Sequence, residues 1–73
     1  MPDRALAESL FLAGAERLKA DDDEGAEAAF RAALTADPGL AEAAANLGWL
    51  RERSGAFVEA EACYLRALTI QQD

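Results

Sequence analysis

The chain has 73 residues, enough for one small domain and too few to rest comfortably on a hydrophobic core alone. Hydrophobic residues make up 52% of it, which excludes disorder by composition, although much of that share is alanine and buries little area. Seven lysines and arginines against 14 acids leave a net charge of -7, an unfavourable balance for nucleic acid or an anionic membrane surface. No apolar run approaches a membrane span, and no basic-then-apolar leader is visible. One cysteine forms no internal disulfide, and the absence of histidine removes the usual residue of metal and acid–base sites. The expectation is a cytoplasmic protein without cofactor or metal, and not an enzyme.

The spacing predicts a first helix over about 3–20. Leu6, Leu10 and Ala13 form one apolar stripe, and Phe11, Ala15 and Leu18 form a second, rotated to one side. Two stripes imply a helix that faces both a core and something else. Pro2 and Asp3 suit its first turn. Asp21-Asp22-Asp23-Glu24-Gly25 reads as a tight turn followed by a helix cap at Asp22 or Asp23. Calcium binding there is disfavoured, because the acids lack the alternating spacing of a calcium loop.

A second helix is predicted over 23–36, with the single stripe Ala26, Ala29, Phe30, Ala33 and Leu34. Asp37-Pro38-Gly39 stops it, and Pro38 fits the first turn of the next helix. The third helix is predicted over 40–53, ended by Ser54-Gly55 with glycine as the left-handed residue. The fourth is predicted over 57–71, with Phe57, Ala60, Tyr64, Ala67 and Leu68 as its main stripe. No alternating β-branched run exists, so no strands are expected. The fold class is all-α: four helices with short connections, packed as antiparallel neighbours.

Sliding the chain against itself by 34 residues aligns Gly14 with Gly48, Arg17 with Arg51, and Ala26 with Ala60. It also aligns Phe30 with Tyr64, Ala33 with Ala67, Leu34 with Leu68, and Thr35 with Thr69. A gapless offset across both helices is an internal repeat. Glycine mid-helix costs about 1 kcal/mol against alanine. Its recurrence at Gly14 and Gly48 implies a close helix approach, with Phe30 and Tyr64 filling the wedge.

These residues resemble two tandem tetratricopeptide repeats (TPRs), over 7–40 and 41–73, with 1–6 extending the first helix. The small–small–aromatic–small–proline signature stands as Gly14, Ala26, Phe30, Ala33 and Pro38, and again as Leu47-Gly48, Ala60, Tyr64 and Ala67. The first repeat departs from the pattern at Asp21, where glycine is usual, and at Ala13, where leucine is usual. The resemblance implies a single domain, an α-solenoid fragment, that binds a protein or peptide in a concave groove lined by the first helix of each repeat. Carried over by position, the groove falls on Phe11, Leu12, Ala15 and Leu18 in the first repeat and on Asn46, Trp49 and Arg53 in the second. Trp49 stands out as a candidate hot spot, against the alternative that it packs on Phe11 or Leu12. Phe11 and Ala15 stand where a carboxylate clamp wants polar donors, so an apolar peptide or amphipathic helix is the expected ligand.

The fourth helix carries a further stripe of Val58, Ala62 and Leu65, joined by Ile70, where the second helix has Glu24, Ala28, Arg31 and Ala36. Terminal repeats usually present a polar outer face. The alternatives are therefore a homo-oligomer assembled through this helix, a different partner chain, or a fragment of a longer TPR protein. Cys63 reads as a small, half-buried helix residue rather than a nucleophile.

Overall fold

The computed structural model describes residues 1–72. Among them are four α-helices, α1 (Arg4–Lys19), α2 (Asp23–Ala36), α3 (Ala41–Arg53) and α4 (Phe57–Gln72), and no strand. Asp73, expected beyond the last helix, lies outside the described residues. Helix α1 packs on α2, α3 packs on α4, and the two hairpins meet through α2 and α3.

The two prolines sit differently from expectation. Pro2 precedes the N-cap of α1 rather than entering its first turn. That cap is Asp3, whose carboxylate accepts from the Leu6 amide at 3.0 Å. Pro38 lies in the turn before Leu40, the N-cap of α3, so it spaces the helices instead of opening one. The reason is local. The Asp37 carboxylate accepts from the Gly39 amide at 2.9 Å, closing an Asx turn around Pro38 before the helix can begin.

Both α–α turns are built alike. After α1, the Asp21 amide donates to the Leu18 carbonyl at 3.0 Å and the Asp22 amide to the Arg17 carbonyl at 2.9 Å. After α3, the Gly55 amide donates to Glu52 at 3.0 Å and the Ala56 amide to Arg51 at 2.8 Å. This is the Schellman pattern, which needs one left-handed residue just past the helix. Gly55 holds it at φ 86° and Asp21 at φ 59°, so the aspartate keeps the turn that glycine usually makes.

The core is small side chains around one large ring. Ala7, Ala26, Ala33, Ala43 and Phe30 are wholly buried. Gly14 makes room for the Phe30 ring: a Cβ on Gly14 would stand 2.6 Å from a ring carbon. At Gly48 a Cβ would stand 3.0 Å from the Tyr64 ring. The expected wedge therefore recurs in both hairpins, tighter in the first. The first hairpin is also closed at its open end. The Asp3 amide donates to the Ala36 carbonyl at 2.8 Å, and the Arg4 guanidinium donates to Asp37.

One expectation about the core fails. Phe57 and Leu68 were placed on the core stripe of α4, yet they are exposed, at 68% and 53%. Leu34, which matches Leu68, is only 6% exposed. The cause is the covering helix: α3 lies over that face of α2, and among the described residues no following helix lies over that face of α4.

Candidate functional site

The candidate groove residues divide between core and solvent. Phe11 is half-buried and packs its ring on Phe30, with centroids 5.6 Å apart and planes tilted by 44°. Leu18 also packs against the core, and Ala15 is half-buried. Leu12, one residue beyond Phe11, is 63% exposed. Successive helical residues point about 100° apart, so seating Phe11 on the core turns Leu12 to solvent.

On α3, Trp49 is 44% exposed and lies outside the buried cluster. The Arg53 guanidinium sits over its ring, 4.6 Å from the centroid, one helical turn on. Arg53 also reaches Asp23 at 3.6 Å, so one arginine holds both the indole and the α2–α3 junction. A cation over an exposed ring is worth about 0.5–1 kcal/mol and fixes the ring's orientation. Asn46 is half-buried one turn earlier on the same helix.

The α2–α3 junction carries its own charge pattern. Arg51 donates to Glu27 at 2.9 Å, and Arg31 approaches the other oxygen of Glu27 at 3.8 Å. A shallow cleft of about 240 Å³ lies along this seam, lined by Arg31, Leu34, Thr35, Leu47 and Arg66.

On α4, Val58, Ala62 and Leu65 are exposed and Ile70 is half-buried. Val58, Ala62 and Leu65, spaced four and three residues apart, lie on one side of the helix, and Ile70 is rotated off it. Leu65 helps line a largely apolar cleft of about 320 Å³ with Glu52, Phe57, Ala60, Glu61 and Tyr64, whereas Val58 and Ala62 do not line it. Tyr64 donates its hydroxyl to Glu52 at 2.9 Å. Partial burial, then that hydrogen bond, raises the Tyr64 phenol above its ordinary value. Sequence reasoning missed this cleft because it assigned Phe57 and Tyr64 to the core. The signal was available in the repeat offset, since the matching residues of α2 are the ones that would meet a following helix. Cys63 is half-buried and packs against the core.

Among the described residues no helix is long and apolar enough to cross a membrane. No curated protein and no solved structure matches the chain. The tetratricopeptide repeat family model matches residues 41–73, which hold α3, its Schellman turn and α4. Residues 41–73 thus match the tetratricopeptide repeat family, the four helices fit a TPR-like helical repeat, and that family suggests a protein–protein interaction module.

Proposed function

We propose that the chain is a non-enzymatic cytoplasmic scaffold module, one TPR domain with repeats at 7–40 and 41–73. It takes an apolar peptide or an amphipathic helix of a partner protein on the faces of α1 and α3. The observation that carries this reading is Trp49: a large indole left 44% exposed, oriented by Arg53 rather than folded into the core. Leu12 extends the apolar surface on α1, and Asn46 offers an amide for a peptide backbone. Phe11, Ala15 and Leu18 form the floor, since each is half-buried and so offers one edge to a ligand while supporting the core. A ligand that buries the indole gains apolar area and an aromatic anchor, the usual make-up of an interface hot spot.

Selection from a phage-displayed peptide library tests it. Trp49→Ala is expected to weaken selected peptides about tenfold or more, and Leu12→Ala less. Peptides whose binding is indifferent to both substitutions would place recognition elsewhere and sink the reading.

A further inference from the structure

We infer that the cleft lined by Arg31, Leu34, Thr35, Leu47 and Arg66 takes a short acidic segment of a partner protein. Two carboxylates of that segment pair with the two guanidiniums, and an apolar side chain between them covers the two leucines. The site is separate from the Trp49 surface and does not depend on it. Leu47 and Trp49, two residues apart on α3, point about 200° from one another.

The distribution of charge over the whole chain carries the argument. With 14 acids and seven cations, nearly every cation should find an acid. Arg4, Arg17, Lys19, Arg51 and Arg53 each reach a carboxylate at 3.6 Å or less. Among the described residues Arg66 reaches none. Arg31 only approaches Glu27, at 3.8 Å, and Arg51 already holds that carboxylate at 2.9 Å. The two cations left over line one cleft of about 240 Å³, Arg31 from α2 and Arg66 from α4, and no acid lines it with them. Like charges beside a shared hollow repel, and an added anion turns that cost into attraction. The pair is also no product of the repeat. At a 34-residue offset, Leu65 matches Arg31 and Ala32 matches Arg66.

The lining selects the anion. Thr35 donates its hydroxyl proton to the Arg31 carbonyl at 3.1 Å, so the side-chain donors left in the cleft are guanidinium N–H groups. Their planar forks suit a carboxylate or a phosphate. The floor decides between them. Leu34 and Leu47 each show only an edge, at 6% and 8% exposure. A phosphate, hydrated on every side, gains nothing from that floor, whereas an apolar side chain between two acids covers it. A shallow cleft with exposed arginines holds a small anion weakly, because each exposed pair contributes little. A peptide brings both carboxylates and the apolar contact together, so the second pairing becomes intramolecular. The net charge of -7 does not forbid an acidic partner, since charges beyond about 8 Å are largely screened at physiological ionic strength.

The test titrates the isotope-labelled full chain with a blocked peptide, Glu-Leu-Leu-Glu, and with its neutral twin, Gln-Leu-Leu-Gln. Saturable shifts at the side-chain N–H groups of Arg31 and Arg66 and at the Thr35 amide are expected from the acidic peptide only. Arg31→Gln and Arg66→Gln should each weaken binding about fivefold. Arg66→Lys should lose less than Arg66→Gln, because it keeps the charge and gives up only the fork. Both arginines are exposed, so the variants should keep their fold, which helical circular dichroism checks. The comparison of the two peptides on the unaltered chain needs no variant at all. Trp49→Ala should leave binding unchanged. No saturable shift, equal binding of the neutral peptide, shifts centred on Trp49 or Lys19, or indifference to both glutamine substitutions would each overturn the inference. Acetate or inorganic phosphate producing the same shifts at the same concentrations would overturn it too, by making the cleft a general anion site.

Discussion

Leu34 and Leu68 hold the same place in consecutive helical hairpins, yet one is buried beneath α3 and the other is open to solvent. The same contrast runs through their neighbours. Phe30 is wholly buried, while its counterpart Tyr64 is half-buried and satisfies its hydroxyl on Glu52. Asp22 caps α2 by accepting from the Gly25 amide at 2.9 Å, while the matching Ala56 has no side chain to do so. Arg4 and Asp37 tie the ends of the first hairpin, and the matching positions in the second are Pro38 and Gln71. The two hairpins thus share their turns and wedge but not their stabilisation. The first is covered, capped and clamped; the second keeps the fold and leaves Phe57, Leu65 and Leu68 exposed.

The comparison can be broken at its centre first. Phe30→Ala should cost about 3–5 kcal/mol in a urea melt, a large part of the stability of so small a chain. Tyr64→Ala should cost less, since Tyr64 is only partly buried and its hydroxyl bonds to Glu52 at the surface. Equal losses would mean that the covering helix does not set the energetic difference.

The glycines sharpen the point. Gly14→Ala drives a Cβ into a ring with nowhere to move and should cost about 1–3 kcal/mol. At Gly48 the contacts of an added Cβ are looser, 3.0 Å to the Tyr64 ring and 3.2 Å to the Cys63 Cβ, and alanine gains about 1 kcal/mol of helix propensity. Gly48→Ala should therefore cost less than Gly14→Ala in thermal denaturation. A Gly48→Ala loss as large as that of Gly14→Ala would show that both wedges are equally rigid.

Capping comes next in size. Asp22→Ala should lose about 1 kcal/mol, and Ala56→Asp should gain about 0.5–1 kcal/mol by installing the missing cap. The pair is read by chemical denaturation, and a gain at Ala56 absent from the melt would mean that the second turn cannot accept a cap.

The smallest effect is pH-dependent. The Arg4 guanidinium, and after it the Gly39 amide, holds the Asp37 carboxyl below its ordinary 3.8. A carboxyl lowered in the folded state stabilises it fully above the ordinary value. That contribution is lost as pH falls through the lowered one. Asp37→Asn should therefore lower Tm modestly at neutral pH and flatten its fall on acidification. An unchanged acid limb would show that the Arg4–Asp37 clamp does not form in solution.

Much of this architecture was legible before any coordinates. Helix boundaries follow from apolar spacing, the acidic run marks a cap at Asp22 or Asp23, Gly55 marks a turn, and the 34-residue offset announces the repeat. These are local features, governed by backbone geometry and nearest neighbours in the chain. Pro38 and Asp21 were harder to place. An Asx turn outcompeted helix initiation at Pro38, and Asp21 adopted a backbone conformation usually left to glycine.

The site was only partly legible, because exposure depends on what lies across a helix and not along it. Periodicity marks Leu34 and Leu68 alike as apolar, and Phe11 and Leu12 alike as large. The tertiary structure decided that Phe11 closes on Phe30 while Leu12 faces water, and that Trp49 rests under Arg53 instead of in the core. The sequence by itself determined the helices, the turns and the repeat, since those follow from short-range backbone preferences and the pattern of apolar residues. Only the packing of α3 over α2 decided which of two matched faces is core and which is surface. A side chain is buried by its neighbours in space, and those neighbours come from another part of the chain.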